Sequence, residues 1–325
     1  MPLKRPDASS IARFGLGLAA VGRPGYITLG RDLDLPADRS VEAMQAHVHR
    51  LLDAAYTAGV RYFDAARSYG MAEDFLASWL HARPDVQGVV IGSKWGYTYT
   101  AGWRTDARTH EVKDHSLATF RRQLSHTRAL LGTRLDLYQV HSVTPTSTAL
   151  TDPALHERLA VLATEGVTIG LSASGPDQAE TIRTALEITV EGKQLFGSVQ
   201  ATYNLMEPSA GAALAEAHAA GCTVIVKEGL ANGRLADRHA SGPEATVLRD
   251  IAQEAKVSCD AVALAAVAAQ PWADIVLSGA ATAEQLISNL TATHLRLVPD
   301  QLERLTALAE PADVYWAQRS QLSWT

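Results

Sequence analysis

An aspartate, a tyrosine, a lysine and a histidine each stand at, or just beyond, the end of a short apolar run in this chain. Asp64 follows Tyr62-Phe63, Lys94 follows VVIGS, and His141 follows LYQV. Tyr69 lies five residues past Asp64 in the same loop, and Gln200 ends a fourth run after SV. These residue types can move a proton while a hydride moves beside it. Reducing a carbonyl requires hydride delivery to carbon, a proton for oxygen, and exclusion of water as alkoxide charge develops. A tyrosine is a suitable acid, yet its ordinary pKa of about 10 makes it a poor donor at neutral pH. An adjacent ammonium favours the phenolate and lowers that value. Lys94 can supply the ammonium, and Asp64 can hold Lys94 in place and protonated. His141 can donate a hydrogen bond to the carbonyl oxygen, as an oxyanion donor does.

Strands that each end in a chemically able side chain describe a (β/α)8 barrel, whose strand C-termini converge on one face. Candidate strands are Arg13–Leu18, Val60–Asp64, Val89–Ser93, Leu137–His141, Val167–Ser172, Ser198–Ala201, Thr223–Lys227 and Ile275–Ser278. Helical spacing fills the gaps. After Ser40, a good N-cap, come Val41, Met44, Val48, Leu51, Leu52 and Ala55, with Gly59 as the stop. Leu117, Phe120, Leu124, Leu130 and Leu131 repeat the pattern before Gly132, and Leu155, Leu159 and Leu162 before Gly166. A further helix runs from Ala212 to Ala220, ending at Gly221. Eight such units favour a closed α/β barrel over an open doubly wound sheet. With no linker or low-complexity stretch, residues 1–325 read as a single domain, its C-terminal tail 310–325 covering the site.

Composition agrees with a globular enzyme and excludes other classes. With 47% hydrophobic and 20% charged residues, the 325-residue chain can bury a full core. A formal net charge of -6 offers no basic footprint for nucleic acid. Cys222 and Cys259 are far apart with no CxxC, so a reducing cytoplasm is expected. Lys4 and Arg5 before IARFGLGLAAVG imitate a signal peptide, but Arg13 interrupts the run and no small-residue cleavage site precedes Arg23-Pro24. The longest small-apolar run, Ala261 to Ala269, is far short of the ~18 residues that span a membrane.

With Asp64, Tyr69, Lys94 and His141 matching its tetrad one for one, the chain resembles the aldo-keto reductase family from Phe14 to about Leu290. The resemblance implies an NAD(P)(H)-dependent oxidoreductase that interconverts a carbonyl and an alcohol, acting on a small molecule as a monomer or small homo-oligomer. YGMAEDFLASWL looks like the family's acidic residue, Glu73, followed by a helix. By the same resemblance Ser172 and Gln200 hold the nicotinamide carboxamide, with Ala173 replacing the usual Asn, and Asn289 meets the adenine. Lys227 stands where an aromatic residue usually stacks on the nicotinamide. Gly229, Leu230, Asn232 and Arg234 belong to the loop that closes over the pyrophosphate. Family members mostly hold a 2′-phosphate with Arg or Lys just after strand eight. Here the stretch from Ser278 to Gln285, including Gly279 and Ala280, has no basic residue, and Glu284 would repel a phosphate. NAD(H), or dual use, is therefore expected. Tyr26, Trp95, Tyr97, Tyr99, Trp103, Tyr315, Trp316 and Trp324 are candidate walls for a sugar or a ring-bearing carbonyl.

Other chemistries fit less well. Gly15, Gly17 and Ala20 match G-x-G-x-x-A, yet a breaker-rich loop, not a helix, follows. GLSAS lacks the last glycine of G-x-S-x-G, and neither His47/His49 nor His110/His115 has zinc-site spacing, so no metal is expected. Two alternatives stay open. Lys94 could form a Schiff base, as in a class I aldolase, or the chain could be a cofactor-binding sensing subunit, like the potassium-channel β subunits with this barrel.

Overall fold

The eight apolar runs form eight parallel strands that close on one another. A computed structural model describes Leu3, residues 10–240 and residues 245–325. The strands are β1 (Phe14–Gly17), β2 (Tyr62–Asp64), β3 (Val90–Trp95), β4 (Leu135–Val143), β5 (Thr168–Ala173), β6 (Ser198–Thr202), β7 (Thr223–Lys227) and β8 (Ile275–Ser278). They pair in chain order, and β8 pairs with β1 to complete the barrel. Closure leaves no strand edge unpaired. The register aligns functional positions: Gly17 lies opposite Asp64, Asp64 opposite Gly92, and Ser172 opposite Gln200.

Helices Val41–Thr57, Ala72–Ala82, Leu117–Leu131, Pro153–Thr164, Gln178–Leu186 and Gly211–Ala219 make the first six crossovers. The Ser40 hydroxyl accepts from the Ala43 N–H, which fixes where the first of these begins. Its apolar stripe, Met44, Val48, Leu51, Leu52 and Ala55, is buried against the barrel. Two helices, Thr246–Ala255 and Cys259–Ala268, link β7 to β8. The small-apolar run noted above is the second of them. It lies between β8 and the helices Thr246–Ala255 and Ala283–Leu290, a position that suits a helix apolar on nearly every face. Among the described residues no helix is long and apolar enough to cross a membrane, and both cysteines are free thiols.

Inside the barrel Leu3, Tyr62, Val90, Leu137, Ile225, Ile275 and Leu277 form an apolar floor. Strand alternation then puts Asp64, two residues beyond Tyr62, on the same inner face above it. Gly15 makes room for that layer, since a Cβ there would lie 2.7 Å from Tyr62 and 2.9 Å from Leu277. Its glycine serves strand packing, and no helix follows it before Arg31–Asp34. The sequence did not announce the antiparallel hairpins of Tyr97–Tyr99 with Glu111–Lys113 and of Thr189–Val190 with Lys193–Gln194, nor the bulge in β4 between Val140 and Val143.

Candidate active site

β2 ends at Asp64, and the loop beyond it stays attached to the sheet. The Ala65 N–H donates to the Gly92 carbonyl at 2.8 Å and the Arg67 N–H to the Lys94 carbonyl at 2.9 Å. That path carries Tyr69 over Lys94. Glu73, in the first turn of Ala72–Ala82, fastens the loop from below. Its carboxylate pairs with Arg67 and accepts from Ser93 at 2.5 Å and Thr127 at 2.9 Å. From above, Gly22 presses so close that a Cβ would sit 2.3 Å from the Tyr69 carbonyl oxygen.

Lys94 is fully buried. Its Nζ donates to Asp64 Oδ2, to the Ala65 carbonyl at 3.0 Å and to Tyr69 Oη at 3.3 Å. The other Asp64 oxygen accepts from Gln200 Nε2 at 3.1 Å and from the Tyr62 hydroxyl at 3.2 Å. His141 Nε2 lies 3.4 Å from Tyr69 Oη. The β4 bulge aims it: Ser142 adopts φ 50°, and its N–H donates to Ser172 Oγ at 2.8 Å. Ser68 Oγ, 3.4 Å from His141 Nδ1, can donate to it and leave the ring proton on Nε2.

Electrostatics set the resting protonation. Burial, the charge of Lys94 and that of Lys227 hold His141 well below the usual imidazole range, so it is neutral. Burial and the charge of Asp64 push the Tyr69 phenol well above its ordinary value. Lys94, expected from the sequence to lower it, does not prevail. Because Asp64 is bound to Lys94, the pair is close to neutral as a unit, and burial decides. Tyr69 therefore rests as a proton donor.

The tetrad opens into a cavity of about 550 Å³ that reaches Gly279, Gln285 and Asn289, a volume within the roughly 300–1,000 Å³ of small-molecule sites. Asp64, Tyr69, His141, Gln200, Lys227, Gly229, Leu230, Asn232, Ala280 and Tyr26 also line it. Seven expected contacts lie elsewhere, among them Tyr99 and the buried Tyr315, whose hydroxyl accepts from Asn204 at 3.1 Å. Ser172 is fully buried beneath the β4 bulge. Arg234 turns outward to Glu310 and Tyr315. Trp95 packs on Phe120 and His115. Trp103 packs on Phe75 and donates to the Arg39 carbonyl at 2.6 Å. Trp316 is buried beside Tyr315, with Lys227 and Arg319 over its ring.

Tyr26, Tyr97 and Trp324, expected as aromatic walls, do line the cavity, and the structure adds Arg23 and Glu111, which belong to no motif. Tyr97 and Glu111 enter from the hairpin, and Arg23 from the loop after β1. Arg23 donates to Glu111 at 2.5 Å and lies over the rings of Tyr26, Tyr69 and Trp324. Trp324 stacks on His110 at 4.1 Å, and the Tyr26 N–H donates to the Thr325 carbonyl at 3.0 Å. At the other end Arg31, Asp34 and Arg238 line the cavity, Arg238 pairing with Asp34 at 2.9 Å. The alternation that sends Lys94 inward sends Trp95 outward and frees Tyr97 beyond the strand end.

A sequence profile described as the Aldo/keto reductase family matches residues 36–310. The barrel superimposes on the holo form of an aldo-keto reductase from Bacillus halodurans with a TM-score of 0.69. That match is 20% identical and covers 96% of this chain and 97% of the other. Over 164 residues the chain is 29% identical to a pyridoxal 4-dehydrogenase of Microbacterium luteolum, a match covering 44% of this chain and 45% of that enzyme's length. The profile match extends over most of the chain, and on that ground this protein belongs to the aldo/keto reductase family of NAD(P)-dependent oxidoreductases.

Proposed function

We propose that the protein interconverts a carbonyl and an alcohol, with Tyr69 passing the proton and His141 binding the oxygen. The observation that carries this is that Tyr69 Oη lies 3.3 Å from Lys94 Nζ and 3.4 Å from His141 Nε2. An oxygen lodged between the phenol and the imidazole receives one hydrogen bond from each. As the phenol gives up its proton, Lys94 stabilises the phenolate. A bound nicotinamide dinucleotide supplies or accepts the hydride. Gln200 fits such a group: its Oε1 is buried in the cavity wall with no hydrogen-bond partner and suits a carboxamide N–H. Gly279, Ala280, Gln285 and Asn289 wall the end suited to the adenosine. A Schiff base at Lys94 is disfavoured because all three Nζ donors are engaged inside the barrel.

For the dinucleotide we favour NAD(H). The two arginines at the adenosine end face Asp34, with Asp237 and Asp260 also in the wall. Such acids suit a ribose hydroxyl and repel a 2′-phosphate. For the substrate we favour a ring-bearing carbonyl or sugar. Tyr26, Tyr97 and Trp324 offer flat faces beside the charged tips of Arg23 and Glu111, and pyridoxal, acted on by the relative named above, is of this class. The test is direct: purified protein with reduced or oxidised dinucleotide and panels of aldehydes, sugars and alcohols, read at the nicotinamide absorbance. Tight dinucleotide binding with no turnover on any panel would favour a sensing role instead.

A further inference from the structure

Lys227 is a largely enclosed cation for which the proton-transfer scheme has no use. It ends β7, its side chain 14% exposed, and lines the cavity together with His141 and Gln200. Its Nζ donates to Thr202 Oγ1 at 2.8 Å and Ser174 Oγ at 3.2 Å. Glu228 is 3.7 Å away, but that carboxylate is held by Arg319 through bonds of 2.8 and 2.5 Å. The other charges near the tetrad cancel in pairs, Lys94 with Asp64 and Arg23 with Glu111. Lys227, Glu228 and Arg319 instead sum to one positive charge, and Lys227 is the member with no carboxylate of its own.

A hydride donor or acceptor must reach the carbon whose oxygen Tyr69 and His141 hold. It therefore occupies the part of the cavity that Lys227 and Gln200 wall. The nicotinamide ring is cationic when oxidised and neutral when reduced. In a site shielded from water an adjacent unit charge acts at low effective dielectric, so it penalises one form and not the other. Resting on the hydride-transfer reading above, we propose that Lys227 makes the protein bind reduced dinucleotide more tightly than oxidised, and so makes the bound oxidised form a stronger hydride acceptor. In that direction a hydride leaves the alcohol carbon for the ring, the ring loses its positive charge, and the hydroxyl proton passes by way of Tyr69 to solvent. The internal equilibrium is drawn toward alcohol oxidation by the ratio of the two affinities.

Protonation of Lys227 gives a second handle. Burial outweighs Glu228 and lowers its pKa to about 8, while Glu228 stays charged with a pKa lowered to about 2 and His141 stays neutral. Arg319 stays charged, and Lys94 is held by Asp64. Calorimetric dissociation constants for NADH and NAD+, and for the phosphorylated pair, test the idea with wild type, Lys227→Met and Lys227→Arg at pH 7. Wild type should hold the reduced form at least tenfold more tightly. Lys227→Met should cut that ratio at least fivefold, and Lys227→Arg should keep it within threefold. A ratio in Lys227→Met within twofold of wild type overturns the proposal. Should that variant not fold, the wild-type ratio measured from pH 7 to 9.5 must fall through about pH 8, and a flat ratio overturns it equally. Failure of wild type to bind any dinucleotide overturns the hydride-transfer reading as well, which separates the two failures.

Discussion

Gln200 and Asp64, 136 residues apart in the chain, share a buried hydrogen bond of 3.1 Å across the barrel. The bond engages one N–H of the Gln200 amide and fixes which way its carbonyl points, so one contact sets both the acid that orders Lys94 and the acceptor offered to a ligand. Gln200→Leu is expected to weaken dinucleotide binding about tenfold while Lys94 stays in place through Asp64 Oδ2 and Ala65. Fluorescence titration of reduced dinucleotide checks this, and unchanged affinity would remove Gln200 from the ligand wall.

Tyr69→Phe should retain dinucleotide binding and lower carbonyl reduction by at least ~10²-fold, the usual effect of losing a general acid. Lys94→Met should act similarly, because the phenolate loses its only adjacent ammonium at 3.3 Å. Single-turnover rates at saturating dinucleotide are the readout. Near-normal turnover in Tyr69→Phe would sink the assignment.

Removing the Asp34 carboxylate frees Arg238 and Arg31 for an anion. Asp34→Ala is therefore expected to move preference toward the phosphorylated dinucleotide by tenfold or more, on the scale of one charge-assisted contact. Titrating both dinucleotides against wild type and variant gives the answer. A wild-type preference for the phosphorylated form would show that Arg238 already leaves Asp34 for it.

Trp324→Ala should change substrate preference more than dinucleotide affinity, since Trp324 sits over Arg23 and Tyr26 beside the tetrad. Comparing kcat/KM across the substrate panel with dinucleotide Kd tests this. Equal loss of both would count against the tail as a substrate wall.

Acid stability should carry the mark of His115. Burial lowers its pKa to about 4, and its Nε2 donates to the His141 carbonyl at 2.8 Å. Between pH 6.5 and 4 the unfolded chain binds a proton there that the folded chain refuses. Stability from this residue is whole above pH 6.5 and is lost as pH falls toward 4, by up to about 3 kcal/mol. Urea denaturation at pH 7 and pH 4.5 should show a shallower decline in His115→Gln than in wild type.

The barrel was legible because most of its strands are apolar runs cut off by a polar residue. That pattern records both burial and the direction of the C-terminal face. The tetrad was legible for the same reason, each member lying at or just past such a boundary. The substrate end was legible only in its aromatics, Tyr26, Tyr97 and Trp324. Arg23 and Glu111, 88 residues apart, meet only because a hairpin folds back over the rim, and Trp324 arrives from the far end of the chain. Arg234 and Arg238 are four residues apart in one loop. Whether each faces the cavity or Glu310 depends on backbone turns at Ala231, Asn232 and Gly233, all with positive φ, which side-chain types alone do not disclose.

The loops after β1 and β7 meet over the cavity: the Leu29 N–H donates to the Asn232 carbonyl at 3.0 Å, and Asn232 Nδ2 donates to the Ile27 carbonyl at 3.0 Å. A long ligand lying beneath this clasp can neither enter nor depart sideways while both bonds hold. With a dinucleotide beneath it, as proposed above, undoing the clasp would be a step in its exchange and would limit turnover however fast the proton relay ran. Evolution toward a faster enzyme would then have to work at residues 27 to 29 and 232 rather than at the tetrad.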